Sequence, residues 1–530
     1  MMQTHKIPVF KSWVSEWLAR SVIFSILMTC LFSFGLYSNP TAVMGFYGVQ
    51  PADVQYGMVV IYGSTVAFLA LDFRIVKYFT PRKYLLMALA VNVSCALLCF
   101  HLKSWPVFIV SQFIQGVTCA VLSGIVLNLT FPRLNTTRAR VIGYTILYGG
   151  IQVSVPLYAI YASAVLYFFD YNWLFYGLVI MLLILALIIM LTMNGRARFF
   201  KRMPLYQVDW LGYLFYVSFI LTLGYILVYG RQLGWLENPA VVLLCLADLL
   251  LLLLFVSRQR KLKRPLINLQ ILRTKNFVIG LLLLFTFYIF KGSTGLAYGY
   301  LENILGNTPV NTIPVWLSVI AGTILGMFVV SRFILQGFNL VNIIVAGFLI
   351  MASFYVYMLF FVSVRGETAD FILPMFIYGL ATGVLFVPIV SFTTSAAAPK
   401  IAVNASLLGI WARFTGFTAS LAFNNELQLY IKSGISEKVR EVVTETNALL
   451  PVTLSGIRQK YSNAGSDLYT ANAVSAADFN FFLRQQMLAR VTRDYYDWML
   501  VGVAGVILLL LVLPRVRNVV LRLRKENIPY

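Results

Sequence analysis

Apolar stretches of about twenty residues, each long enough to cross the hydrocarbon core of a bilayer, recur along almost the whole chain. They fall at 18–37, 56–72, 84–101, 106–130, 141–165, 173–193, 209–229, 239–256, 277–299, 311–330, 340–361, 370–396, 402–423 and 497–514. In lipid, backbone polar groups have to be paired inside the chain, and helices do this within each segment. The sequence therefore predicts an all-α polytopic membrane protein with about fourteen transmembrane helices. Composition agrees: 60% of the 530 residues are hydrophobic and 11% charged, where soluble domains carry roughly a quarter charged residues.

A net charge of +22 raises nucleic-acid binding, but the placement of the charge argues for topology instead. Basic residues crowd alternate loops. The first group is Arg74, Lys77, Arg82 and Lys83, the second Arg133, Arg138 and Arg140, the third Arg196, Arg198, Lys201 and Arg202. A fourth holds Arg258, Arg260, Lys261, Lys263, Arg264, Arg273 and Lys275, and the tail carries Arg515, Arg517, Arg522, Arg524 and Lys525. The opposite short loops hold little beyond Lys103, Arg231 and Arg365. The positive-inside rule then puts both termini in the cytoplasm of a multi-pass protein of the cell inner membrane. The expected surroundings are the lipid bilayer and a small-molecule substrate, with no nucleic acid. Residues 1–11 are polar and no small-residue cleavage site follows the first apolar run, so that run is expected to stay as a helix.

Soluble-enzyme chemistry has no foothold here. All five cysteines lie in apolar runs and read as small fillers rather than a disulfide framework. His5 and His101 make no metal-ligand spacing. There is no phosphate-binding loop and no nucleophile elbow. Neither a metal nor a cofactor is expected, and an ATP-driven pump is disfavoured.

Charges inside the spans need a reason, because each costs at least about 2.5 kcal/mol near the bilayer centre. Lys291 lies about 21 Å along its helix from Phe277, and Arg413 about 16 Å along from Ala402. Both are expected to face a bundle interior or a wet cavity, although Lys291 could also snorkel outward. Asp248 is also within a span. Helix breakers at Gly149, Gly150, Pro156, Gly292, Gly295, Gly379, Gly383 and Pro388 fit bends or close packing around a cavity. The polar segment 424–496 falls on the non-cytoplasmic side. Within it Phe479, Phe482, Met487, Val491 and Tyr495 recur at helical spacing, so a helix outside the membrane is expected to run into the last span.

Three stretches resemble the fourteen-helix drug/proton antiporter branch of the major facilitator superfamily. The first is Val208-Asp209-Trp210-Leu211-Gly212, followed by Gly230, Gly234-Trp235 and Pro239. The second runs from Pro265-Leu266-Ile267-Asn268-Leu269 through Arg273, Asn276 and Phe277 to Tyr300-Leu301-Glu302-Asn303-Ile304-Leu305-Gly306. The third is Asn404-Ala405 with Arg413-Phe414-Thr415-Gly416 and Ala422. The resemblance implies two six-helix bundles with two extra helices between them, working by alternating access. It implies an N-terminal bundle at 18–193 after a cytoplasmic segment 1–17, linker helices and loops at 194–276, and a C-terminal bundle at 277–514. A basic tail follows at 515–530. A periplasmic adaptor and an outer-membrane channel are implied as partners.

Departures from the branch are concentrated where proton coupling is expected. Arg82 and Lys83 remain, but Tyr78 and Pro81 stand where the family has Asp and Gly. Gln115 and Gly116 remain, but Gln112 replaces an Arg. Pro156 survives from a longer glycine motif, with Val155, Ala159 and Ile160 around it, and the first span has no carboxylate. Candidates for the substrate cavity or coupling are Arg413, Lys291, Glu302, Gln112, Gln115 and Asn39. Asp209, Trp210, Gly212, Arg82, Lys83, Gly116, Pro156 and Gly416 read as structural. Of the acids, Asp72 and Asp248 are weaker coupling candidates than Glu302. The leading reading is a secondary exporter of hydrophobic or amphipathic molecules. An exporter of a specific anionic or lipid-like product, suggested by Lys291 and Arg413, is the alternative. A transporter-like sensor or assembly protein is a third reading.

The topology has a direct test. A cysteine placed at Ser462 should react with an impermeant thiol reagent applied from outside, and one at Arg198 should not. The reverse labelling pattern would rule out the arrangement with both ends inside.

Overall fold

The structure is a computed structural model that describes residues 8–130, 137–197, 205, 208–363, 366–396, 402–443, 449–465 and 467–512. His5, Arg133, Arg198, Lys201, Arg202, Arg365 and the tail 515–530 lie outside the described residues, as do the side chains of Arg138 and Arg140. The order is α1 (Glu16–Cys30), α2 (Pro40–Tyr47), α3 (Pro51–Ile75), α4 (Pro81–His101), α5 (Trp105–Thr130) and α6 (Thr137–Phe168). It continues with α7 (Trp173–Thr192), α8 (Trp210–Tyr229), α9 (Pro239–Lys261), α10 (Lys275–Lys291), α11 (Thr294–Asn303) and α12 (Ile313–Leu335). The last are α13 (Leu340–Phe361), α14 (Ile372–Ser395), α15 (Ala402–Val442), α16 (Leu449–Asn463) and α17 (Leu468–Val512).

Among the described residues, 13 helical stretches are long and apolar enough to cross a membrane. The remaining span expected from the sequence, 402–423, is the first part of α15. Arg413 and a run of serines and threonines dilute its hydropathy, yet it packs against α10, α17, α3 and α8. A polar helix survives there because protein, not lipid, surrounds it. Proline at the first helical position explains why α4 starts at Pro81, ahead of the apolar run, since the ring presets the helical φ and its missing N–H is not needed there. The expected span at 277–299 is broken into α10 and α11. The last span is the end of a 45-residue helix, α17, so the amphipathic stretch outside the membrane does run into it without interruption.

Packing sorts the helices into two groups of six. α1 and α3 to α7 touch one another, and so do the α10–α11 pair with α12, α13, α14, α15 and α17. α8 and α9 pack together, with α8 also against α3 and α15. The two groups meet chiefly along α6 with α12 and α3 with α15. α9 lies at the periphery, with Leu243, Leu246, Leu250 and Leu253 more than half exposed, as a lipid-facing helix should have them. Beyond the bundle, α16 packs on α17, where Arg458 and Tyr461 donate to Asn472 and Asp478, and α17 exposes Tyr469 and Phe481 there.

Backbone contact between α12 and α14 rests on glycines. A Cβ on Gly379 would sit 2.3 Å from the Val319 carbonyl oxygen, and one on Gly322 2.2 Å from that of Phe376. Gly326 and Gly383 face backbone of the opposite helix in the same way. Small residues let membrane helices approach this closely, and the gain is dispersion rather than a hydrophobic force. Gly379→Leu should therefore lower the stability of the purified protein by about 1–3 kcal/mol or more, as overpacking does. The readout is the melting midpoint in detergent, set against the lipid-side control Leu373→Ala. An unchanged midpoint for Gly379→Leu would show that the seam is not a tight contact.

Candidate functional site

The break between α10 and α11 lies in the C-terminal group and is lined by the carbonyls from Phe290 to Ser293, three of which keep tighter backbone bonds, from Ser293 N to Phe290 O at 3.2 Å, Gly295 N to Gly292 O at 3.4 Å and Leu296 N to Ser293 O at 3.2 Å. Each finds a polar partner on a neighbouring helix or at the break itself. Phe290 O accepts from the Ser293 hydroxyl at 2.7 Å and from the Tyr355 hydroxyl at 3.1 Å. Lys291 O accepts from Tyr378 at 3.0 Å and Thr294 at 2.8 Å. Gly292 O accepts from the Asn424 amide at 3.2 Å, and Tyr495 donates to the same Asn424 at 2.7 Å. Ser293 O accepts from Tyr496 at 3.4 Å. Gly292 is required because α15 passes close by: a Cβ there would lie 2.5 Å from the Ser420 hydroxyl. Irregular backbone at membrane depth is stable only when protein satisfies it in this way.

The break fixes where Lys291 points. Its ammonium does not snorkel outward. It donates to Gln152 Oε1 at 2.5 Å, on α6 of the other bundle, and sits 5.3 Å from the centre of the Tyr288 ring. Arg413, 8% exposed, donates from Nε to the Gly409 carbonyl of its own helix at 3.2 Å. Its guanidinium lies 5.9 Å from the Tyr148 ring and 5.7 Å from the Phe386 ring. Those rings stack edge to face at 5.3 Å across the bundle interface. Tyr62 of α3 packs on Phe414 and Phe417 of α15. The Tyr288 ring beside Lys291 and the Phe386 ring beside Arg413 have centres 6.5 Å apart, so the two like charges share one aromatic cluster. Among the described residues no carboxylate lies within ion-pairing distance of either; the pairs found are Arg20–Glu16, Arg231–Glu426 and Arg258–Asp209. The Gln152 amide nitrogen, on a residue 7% exposed, also has no hydrogen-bond partner.

Lys291 and Arg413 are thus brought together, while the other cavity candidates are placed elsewhere. Glu302 lies in α11, half-buried, a full helix beyond the break from Lys291. Gln112 and Gln115 are fully buried on α5 and bond to each other at 3.2 Å. Asn39 accepts from Ala42 N at 2.9 Å as the N-cap of α2, a capping task outside the interface. Asp72 is buried within the first bundle, where Tyr84 donates to it at 2.6 Å. Asp248 is buried on the peripheral α9. Sequence reasoning missed Gln152, Tyr148, Tyr288 and Phe386. The available signal was an aromatic or amide residue inside an apolar run, which many packing positions share.

The motif residues sit at close approaches. Asp209 caps α8 through Gly212 N at 2.9 Å, pairs with Arg258 at 2.8 Å and accepts from Gln259 at 3.1 Å. Gly212 leaves room for this: a Cβ would meet Asp209 Oδ2 at 2.1 Å. Trp210 is 49% exposed, suited to a membrane–water boundary. Gly116 meets Ser64 of α3, and Gly416 meets Phe285 of α10. Pro156 lies inside α6. Arg82 is half-buried near Gly195 and Lys83 exposed. Two further contacts tie the far ends of α3 and α15: Gln55 and Asn425 bond reciprocally at 2.8 and 3.2 Å. Beside them Glu426 accepts from Trp235 at 2.6 Å and pairs with Arg231 at 3.5 Å.

Comparison with known proteins agrees with this architecture. The Major Facilitator Superfamily profile matches residues 21–422, well over half of the chain. The Multidrug export protein EmrB of Escherichia coli K12 is 23% identical over 255 residues, which is 46% of this chain and 47% of that protein. The same protein from Escherichia coli O157:H7 matches equally. The chain thus aligns with about half the length of the curated relatives it matches. A solved peptide transporter POT, in complex with sulfate, superposes with a TM-score of 0.55 at 14% identity, covering 95% of this chain and 98% of that one. The nucleoside transporter NupG superposes with a TM-score of 0.51 at 10% identity, covering 92% and 98%. Two six-helix groups, two helices packed beside them and the profile match lead to one conclusion: the chain belongs to the Major Facilitator Superfamily, and it is a secondary membrane transporter rather than an enzyme.

Proposed function

We propose that this transporter exports amphipathic small molecules across the cell inner membrane, in the manner of a drug-efflux protein, with both termini in the cytoplasm. The observation that carries this reading is the aromatic and polar cluster around Lys291, Gln152 and Arg413 at the seam between the bundles. Alternating access exposes such a seam to each side in turn. Tyrosine and phenylalanine rings supply apolar area for a substrate body, and a few fixed donors orient it. The partial likeness to a multidrug export protein supports the direction of transport. The bundle limits 18–193 and 277–514, with linkers at 194–276, belong to the same proposal.

Coupling is proposed to be weak or unconventional, because the usual acid of the first span and the basic residue of the fourth are replaced here. Glu302 is the first coupling residue to test and Lys291 the second. Arg413→Ala should reduce substrate export severalfold or more, and Arg413→Lys should fall between it and the parent, because lysine keeps the charge but loses the planar fork of donors. The measurement is accumulation of a fluorescent amphipathic dye in cells lacking the protein and in complemented cells, with and without a proton uncoupler. Normal export by Arg413→Ala would remove the residue from the mechanism. Strong drive by an imposed pH gradient, insensitive to Glu302→Gln and Lys291→Met, would misplace the coupling site.

A periplasmic adaptor, leading to an outer-membrane channel, is proposed to dock on the cap formed by the end of α15, α16 and the start of α17. Its exposed Tyr430, Val452, Tyr469 and Phe481 give large apolar area beyond the last span. Deleting 440–475 should abolish export from intact cells while leaving membrane insertion unchanged, read by quantitative blotting of membranes. Unchanged export after the deletion removes the adaptor from the proposal.

A further inference from the structure

The polar groups at the seam are unbalanced in kind as well as in charge. Lys291 has three donor hydrogens and uses one direction on Gln152. Arg413 has five donor hydrogens in a rigid fork, and Nε is spent on its own helix. The Gln152 amide nitrogen, buried beside the ammonium, has no acceptor. A buried donor without an acceptor costs free energy comparable to a lost hydrogen bond. A buried cation and a half-buried one without a carboxylate cost more. The interface has therefore collected an amide donor from one bundle and two positive charges from the other, with no carboxylate beside them among the described residues.

We propose that Lys291, Arg413 and Gln152 form a headgroup site for a monoanionic amphipathic substrate, in which a carboxylate is held by the three side chains and an apolar body lies against Tyr148, Tyr288 and Phe386. This deepens the export reading and rests on it. A carboxylate supplies acceptor oxygens for all three side chains and offsets the charge repulsion between the two cations. Because Gln152 belongs to α6 and the two cations to α10 and α15, such an anion contacts both bundles at once. Neutral and cationic amphiphiles gain no such pairing, and a cation adds a third like charge.

The inference separates from other candidates in the molecule. Asp72 has a neutral phenol partner and lies inside one bundle, and Asp248 is buried on α9, which packs on α8 at the periphery. Neither is shared between bundles.

The test uses the full chain in nanodiscs of zwitterionic lipid, with radiolabelled decanoate binding measured by scintillation proximity and protein-free discs subtracted. Decanol and decyltrimethylammonium serve as competitors with the same chain and a neutral or cationic head. Decanoate should be displaced by unlabelled decanoate and at least about tenfold less well by the other two. Lys291→Met and Arg413→Gln should each weaken decanoate binding about tenfold or more, and Gln152→Leu severalfold. Lys83→Gln, a surface control, should change nothing. Should Arg413→Gln fail to fold, Lys291→Gln keeps a donor without the charge and must still lose affinity. Discs containing phosphatidylglycerol distinguish the source of the anion: weaker decanoate binding in them, seen in the parent and lost in Lys291→Met, assigns the site to lipid headgroups, and no weakening assigns it to free carboxylates. Equal displacement by all three heads, or full decanoate affinity in both cation variants, overturns the site. Dye export that persists alongside that result leaves the export reading standing. Selective decanoate binding without any export phenotype overturns the export reading and leaves the site.

Discussion

Irregular backbone at membrane depth needs protein around it, and the organisation of the C-terminal bundle follows from how one break in α10–α11 is tied to its neighbours. Four carbonyls, from Phe290 to Ser293, are taken up by side chains that include Tyr355 on α13, Tyr378 on α14, Asn424 on α15 and Tyr496 on α17. Each bond is worth only about 1 kcal/mol net in an ordinary setting, and three of the four carbonyls also accept a backbone N–H, but together these side chains commit four helices to one level of the membrane. Rotating any of them by one position would move its tyrosine or asparagine off the break. The same geometry turns Lys291 inward. A continuous helix could have let the lysine stem reach toward the outer interface; here its carbonyl is held by Tyr378 and its ammonium by Gln152.

Electrostatics then makes the seam a place where the two bundles share a problem. Lys291 and Arg413 carry like charge in one aromatic cluster, and their partners are neutral: an amide oxygen, a main-chain carbonyl and the faces of aromatic rings. Cation–π contacts are worth about 0.5–2 kcal/mol depending on desolvation, too little to offset the two charges alone. The bundles also meet along α6 with α12 and through the Gln55–Asn425 bonds from the start of α3 to the middle of α15, while Glu426 ties α15 to Trp235 and Arg231 between α8 and α9. Cohesion and charge share α6: a Cβ on Gly149 would lie 3.1 Å from Met327 Sδ of α12, and its neighbours Tyr148 and Gln152 meet the two cations.

The spans were legible because lipid imposes a length and a composition, and both are visible in one sequence. α15 was legible as a helix but diluted as a span, since Arg413 is tolerated by protein neighbours that no hydropathy window contains. The break at Gly292 was visible only as a glycine among many. Whether a glycine bends a helix or simply admits a neighbour is decided by Ser420 and Asn424, more than a hundred residues away. Lys291 and Arg413 stood out because charge in an apolar run is rare. Gln152 did not, because an amide in a span has many uses. Asn39 shows the converse: its position before Pro40 carried a capping signal, and its polarity next to a span drew attention away from it.

The linker between the bundles shows how few residues separate their anchors. Arg74, at the end of α3, donates to the carbonyls of Arg264 and Pro265 at 2.8 and 2.6 Å. Gln259, itself bonded to Asp209, accepts from Leu266 N at 2.6 Å and Ile267 N at 3.5 Å. The next peptide belongs to the other side: Asn268 N donates to Asn404 on α15 at 2.9 Å. Asp209, Gly212 and Gln259 thus build a stiff bracket from α8 and α9 that carries the chain up to Ile267, and Asn404 takes it over one residue later. Both Leu266 and Ile267 are buried, so the crossing is packed rather than loose. A rotation of one bundle against the other is absorbed by the few backbone dihedrals that lie between differently anchored segments. Here the anchoring changes between Ile267 and Asn268, and the short turn Leu269–Arg273 then leads into α10, whose far end carries Lys291.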